Sequence, residues 1–342
     1  MKKRLLDLSL SELKEELIAL GEKPFRAGQI YNWLTAGKTF SEMTNLSKDL
    51  RSRLAENFSE GYAKIAEKKV SSDGTAKYLL ELDDGNLIEA VVMVYEHGKT
   101  ACISTQAGCA MGCAFCASTK GGLKRNLSAG EILSEVICLN ADLGEGRNLT
   151  NLVLMGTGEP LANYDNVVRF LRLVNSPDSL NISFRNISLS TCGIVPGIRR
   201  LTEEGIPLTL CLSLHSAMDE KRREIMPIAD HYSLEETLSA FADFGSKTGR
   251  RTIFEYILIK DFNDGREDVE ALSKKLGRLN CHINLIPYNK VEGLPYESPS
   301  KKEVYAFLGA LEKRGLSATV RRTLGQDIDG ACGQLRARYI KD

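Results

Sequence analysis

The chain has 342 residues, with 45 basic and 45 acidic side chains and therefore no formal net charge. That length supports one large domain with an appendage, and the charge balance excludes a general polycationic nucleic-acid coat while leaving room for a local basic face. No apolar run reaches the roughly 20 residues of a membrane span, and Asp7, Glu12, Glu15 and Glu16 interrupt any signal-peptide core, so the expectation is a cytoplasmic protein without a membrane partner. The nine cysteines are odd in number and unevenly spaced, which points to metal or redox chemistry over a disulfide framework.

In chain order, residues 8–60 read as helical. "SLSELKEELIALG" opens with a Ser-x-x-Glu capping box and stops at Gly21, and "RAGQIYNWLTAG" and "SKDLRSRLAENF" follow with helical spacing. Residues 64–96 change character: "KYLLELDDGNLIEAVVMVY" is rich in strand formers, with "DDGN" as a hairpin turn. The expected organisation is a helical accessory domain over 1–62, a β-rich connector over 63–96 and a catalytic core over 97–342.

After residue 97 short apolar strands alternate with helical stretches. The strands are "ACIST", "NLVLMG", "ISLST", "LTLCLSLH", "TIFEYILI" and "CHINLIP". Six strand–helix units predict an α/β fold with a parallel sheet and right-handed crossovers, curved into a partial (βα)6 TIM-like barrel; periodicity alone also allows an open sheet. In such barrels chemistry sits on the loops after the strands. Polar features fall there repeatedly: a three-cysteine loop after the first strand, "GTGEP" after the second, Ser190 closing the third, Ser213–His215 closing the fourth, and Asn289 past the sixth.

The loop "QAGCAMGCAFCASTKGG" places Cys109, Cys113 and Cys116 in C-x3-C-x2-C spacing among turn-forming glycines. Three local thiolates suit an iron–sulfur cluster with one iron left open. A zinc site completed by a distant Cys or His is the alternative. Cys138, Cys192, Cys211 and Cys281 lie in apolar runs and read as core. Basic groups at Lys120, Lys124 and Arg125, at Lys221–Arg223, at Arg250–Arg251 and at Arg321–Arg322 read as solvated surface, or as parts of a local basic face.

The cysteine spacing after the first strand of a βα domain resembles the radical S-adenosylmethionine (SAM) superfamily. The resemblance implies one [4Fe–4S] cluster on Cys109, Cys113 and Cys116, with SAM on its open iron. "MGTGEP" is similar to that superfamily's SAM-binding segment, through Gly158 and Glu159. The stretches "RRTLGQDIDGACGQLRARY", "SLSTCGIVPGI", "LSLHSAMDEKRREIMPI", "NLIPYN" and "LGEKPFRAGQIYNWL" extend the likeness over nearly the whole chain. Together they resemble the RlmN-type adenine-C2 methyltransferases of 23S rRNA and tRNA, relatives of the C8 enzyme Cfr.

That resemblance implies Cys332 as the S-methylcysteine intermediate, Cys102 as the resolving thiol that forms a transient disulfide with it, and Glu89 as proton acceptor. It further implies SAM contacts from Gly158, Glu159, Ser190, Ser213, Leu214, His215 and Asn289. SAM serves as both methyl donor and radical source, two molecules per methylation. The resemblance also implies a reduced flavodoxin- or ferredoxin-like protein as electron donor, and a monomer is expected. Thr157 departs from the Met of many members, an expected change of packing. "FCAST" and "GEP" are similar to the C2 group. A C8 methyltransferase and a zinc-stabilised RNA-binding protein without catalysis are the rival readings.

Overall fold

In a computed structural model the described residues are 2–96, 98–144, 149–291, 293–322 and 324–328. Three helices open the chain, Leu10–Ala19, Arg26–Thr35 and Lys48–Asn57. Ser9 and Glu12 form the reciprocal capping box that the sequence signals, and Ser47 caps the third helix. Their apolar stripes, including Leu13, Leu17, Ile30, Leu34, Leu50 and Leu54, merge into the same hydrophobic core as the rest of the chain. Polar ties fix the join. Asp7 accepts the Gly130 amide at 2.6 Å, and Arg4 reaches Glu131 at 3.1 Å. A side chain at Gly130 would meet the Asp7 backbone nitrogen at 2.6 Å, so only glycine permits this approach.

Ten strands form the main sheet: β1 (Lys64–Val70), β2 (Ala76–Glu81), β3 (Leu87–Tyr95), β4 (Gly98–Cys102), β5 (Asn151–Leu154), β6 (Ile187–Thr191), β7 (Thr209–Ser213), β8 (Thr252–Leu258), β9 (Cys281–Pro287) and β10 (Ala318–Val320). They lie side by side in sequence order. β1 to β4 are antiparallel to their neighbours, and β4 to β10 are parallel. The segment over 63–96 therefore continues the sheet of the core. The parallel part has seven strands where the sequence predicts six. The additional strand, "ATV", is too short to show a period of two.

The sheet curls into a partial barrel. Met93 and Tyr95 of β3 line the same inner cavity, of about 310 Å³, as Asn284 of β9 and Arg321 just beyond β10. Helices Ala129–Leu143, Tyr164–Asn175, Val195–Glu204, Leu234–Thr248, Arg266–Leu276 and Lys301–Glu312 connect the strands. Their apolar faces, such as Ile132, Val136, Phe170, Leu171, Phe241, Phe244 and Leu272, pack in the core.

Candidate active site

The cysteine loop is held at its neck. Gln106–Gly108 pairs antiparallel with Leu123–Asn126. Gly108 has φ +89°, and a Cβ there would lie 2.0 Å from the Gly122 carbonyl oxygen, so two backbones cross where no side chain fits. The Ala114 amide bonds the Ile225 carbonyl at 2.9 Å and ties the loop to helix Asp219–Ile225.

Cys109, Cys113 and Cys116 line one cavity of about 150 Å³, together with Gly158, Glu159, Ser190, Ser213 and His215. Burial pushes the Cys109 thiol up to about 11 and raises Cys113 further, and the three sulfurs feel one another's charge. Such thiols are inert as free nucleophiles, and a bound cation is what deprotonates them. Three thiols around one cavity are the donor set that an iron–sulfur cluster takes.

The loop after β5 is built around close approach. Gly158 has φ +108°, and a Cβ there would sit 2.6 Å from Gln106 Cβ. Thr157 is fully buried, and its carbonyl accepts the Thr105 and Gln106 amides at 2.9 and 3.2 Å. The Glu159 carboxylate accepts the Leu161 amide at 3.0 Å and the Cys192 amide at 2.8 Å. It thus caps its own turn and joins the ends of β5 and β6. Burial raises its pKa, against the hydrogen bonds from Cys192, Thr191 and Leu161.

Ser190 and Ser213 face each other, with hydroxyl oxygens 3.4 Å apart, and Ser190 donates to Glu255 at 3.2 Å. The Leu214 side chain points into the core, so only its backbone reaches the rim; its amide and that of His215 donate to the Glu255 carbonyl. His215 is buried at φ +56°, and its Nδ1 accepts the Ile257 amide at 3.1 Å. Burial pulls its pKa down to about 3, so the ring is neutral, and the Phe115 ring meets it edge-on at 4.7 Å. Arg222 is also buried and donates to the Cys192 and Leu214 carbonyls at 2.6 and 3.2 Å, knitting the ends of β6 and β7 together.

Asn289 stands apart from this cavity. It is exposed and lines a neighbouring one of about 240 Å³ with Met93, Tyr95, Cys102, Phe115, Cys116, Met155 and Arg321. Phe115, Cys116 and Met155 border both cavities, which makes them adjacent compartments. Cys102 is thus brought to the cysteine loop. Glu89 is buried one strand away, with Lys77 Nζ 3.4 Å from its Oε2. Cys332 lies outside the described residues. The segment leading to it docks on the β1–β2 turn, where Gly325 donates to Asp73 at 2.9 Å and Ser71 donates to Asp327 at 2.5 Å.

Sequence reading missed Lys77, Arg222 and Glu255 as site residues. Glu255 stands as the single charge inside an apolar strand, and Lys77 precedes the apolar run Tyr78–Leu80, signals that were available. Cys192 and Cys211, read as core, are buried but also line the two inner cavities beside them. Most of the basic groups are committed locally. Arg125 pairs with Asp84 and Glu131, Lys221 with Glu267 and Asp268, and Arg251 donates to the Cys281 carbonyl. Arg321 and Arg322 instead line the cavity that holds Cys102.

The model of the radical SAM superfamily matches residues 103–275, and that of the ribosomal RNA large subunit methyltransferase N-terminal domain matches residues 3–59. A probable dual-specificity RNA methyltransferase RlmN of Alkaliphilus metalliredigens is 49% identical over 340 residues, covering 99% of this chain and 96% of its own. Its namesake in Clostridioides difficile is 51% identical over 330 residues, 96% of each chain. A crystal structure of a radical SAM methyltransferase from Sphaerobacter thermophilus superposes with a TM-score of 0.95 at 40% identity, covering 98% of this chain and 99% of that one. No helix among the described residues is long and apolar enough to cross a membrane. With a likeness that runs the full length of both chains, and a thiol-lined cavity at the mouth of a partial barrel, this chain belongs to the RlmN family of radical SAM dual-specificity RNA methyltransferases.

Proposed function

We propose that the chain methylates C2 of adenine in 23S rRNA and tRNA through an S-methylcysteine on Cys332. The observation that carries this reading is the pair of adjoining cavities, one lined by Cys109, Cys113 and Cys116 and the other by Cys102, sharing Phe115, Cys116 and Met155 as their border. Cys109, Cys113 and Cys116 would hold the [4Fe–4S] cluster, and Gly158, Glu159, Ser190, Ser213, Leu214, His215 and Asn289 would surround SAM. When bound, the cluster supplies the electron that cleaves SAM and generates a radical.

C2 of adenine is a poor nucleophile, which is why the methyl group first travels on a cysteine. In this scheme Cys332 carries it as a thioether, the SAM-derived radical removes one hydrogen atom from that S-methyl group, and the carbon radical adds to C2. Glu89 takes the proton from C2 as the ring radical gives up one electron, the equivalent of the one that cleaved SAM, so that a closed-shell thioether joins Cys332 to the ring. The Cys102 thiolate then attacks the Cys332 sulfur, the sulfur–carbon bond breaks with its electron pair on carbon, and a proton completes the new methyl group. A Cys102–Cys332 disulfide remains and is reduced by an external thiol. The second cavity is largely apolar, as a flipped-out base requires, and Arg321 and Arg322 at its edge suit RNA phosphates. A reduced flavodoxin- or ferredoxin-like donor and a monomeric, cytoplasmic enzyme complete the proposal.

The test is anaerobic incubation of reconstituted enzyme with rRNA, tRNA, reductant and methyl-labelled SAM, followed by nucleoside mass spectrometry. Labelled 2-methyladenosine is expected. Labelled 8-methyladenosine would move the chain to the C8 branch, and no methylated adenosine from enzyme with an intact cluster would overturn the reading.

A further inference from the structure

Lys77 is fully buried and Glu89 nearly so, with 3.4 Å between Nζ and Oε2. The register sets Lys77 opposite Val91 and Val91 opposite Cys102, in one row across β2, β3 and β4. Directly opposed residues share a face, and so do residues two apart on a strand. Lys77, Glu89, Val91 and Cys102 therefore all face the inside of the barrel, where Val91 and Cys102 line the second cavity. The reverse face of the same strands carries Tyr78, Leu80, Ile88, Ala90 and Val92 into the main core. Apolar residues at 77 and 89 would serve stability as well as a buried ion pair does. A role beyond folding would account for the pair.

We propose that Lys77 is a positioning residue for methyl transfer: its ammonium group supplies the countercharge to the Glu89 carboxylate and fixes it on the inner face that also carries Cys102, directed to accept the ring proton. The inference rests on Glu89 being the proton acceptor. A buried carboxylate with no cation near it drifts to its neutral form, which cannot act as a base. In the proposed step the proton passes from the adenine carbon to a Glu89 oxygen, and Lys77 neither gains nor loses one. Loss of Lys77 should leave every step before proton removal intact and stall the enzyme while it is joined to RNA.

The experiment uses full-length enzyme with reconstituted cluster and three readouts: methyl on Cys332 by protein mass, covalent RNA–protein adduct on a denaturing gel, and the rate of release of methylated RNA. Glu89→Gln should accumulate adduct, with release slowed roughly a hundredfold. Lys77→Met should methylate Cys332 normally, accumulate adduct and release product roughly tenfold or more slowly, with an unchanged KM for RNA. Lys77→Arg should restore most of the rate. Release at the wild-type rate in Lys77→Met, while Glu89→Gln stalls, overturns the role of Lys77 alone. Release at the wild-type rate in Glu89→Gln overturns the proton-acceptor reading and this inference with it. Should Lys77→Met not fold, Lys77→Gln keeps a hydrogen-bond donor without the charge: stalled release in it supports the proposal, and normal release overturns it.

Discussion

The two sides of the barrel lumen treat buried carboxylates in opposite ways. On the antiparallel side, Glu89 has a lysine ammonium within ion-pair distance. Around the parallel strands, Glu159 is held by the Leu161 and Cys192 amides and the Thr191 side chain, and Glu255 by the Ser190 and Asn284 side chains with Arg321 further off. Behind them Glu135 accepts the Ser104 amide from helix Ala129–Leu143. Burial raises the pKa of all three, most for Glu135. The lesson is that burial alone does not make a base. A carboxylate held by amides and hydroxyls braces the loops it joins, whereas a buried ammonium supplies a countercharge to the one beside it.

The largest expected effects test which side carries the cluster. Cys116→Ala should lose iron, acid-labile sulfide and all activity, whereas Cys332→Ala should keep both inorganic components and make no methylated adenosine. Retained iron in the first, or product from the second, would break the assignment. Next comes the loop after β5. Gly158→Val places a branched side chain where a single Cβ already lies 2.6 Å from Gln106, at a positive φ. A loss of about 3 kcal/mol in urea unfolding and weakened SAM binding by equilibrium dialysis should follow.

Smaller effects test the bracing role. Glu159→Ala leaves the Cys192 and Leu161 amides buried without their acceptor and should cost about 2 to 4 kcal/mol in the same unfolding measurement. The smallest change is expected for Glu135→Gln, within about 1 kcal/mol, since a neutral amide oxygen can still accept the Ser104 amide. Its signature is in pH. The folded wild type holds the Glu135 proton more tightly than the unfolded chain, so stability falls as pH rises above the ordinary carboxylate value of about 4.3. Urea midpoints between pH 4 and 8 should show a shallower fall in Glu135→Gln. An unchanged slope would place the charge of Glu135 elsewhere.

Much of this was legible in the chain. Capping boxes at Ser9, Ser128, Ser233 and Ser300 start four helices where Ser-x-x-Glu stands in the sequence. The alternation of apolar strands with amphipathic helices gave the parallel part of the sheet. What escaped did so for physical reasons. Ala318–Val320 is too short to display a period, and the Gln106–Gly108 ribbon pairs with a segment 15 or more residues away. The committed state of Arg125, Lys221 and Arg251 depends on acids and carbonyls from other elements, which no local run of charge reveals.

By itself the sequence determined the rhythm of strands and helices, the three-thiol loop and its place after the first parallel strand, because these follow from local spacing and turn chemistry. Only the tertiary structure decided that β1 to β3 join the barrel sheet, that Cys102 and Cys116 border the same cavity, and that Lys77 meets Glu89. Those facts depend on strand register and sheet curvature, which bring together groups whose charge and burial have meaning only in each other's presence.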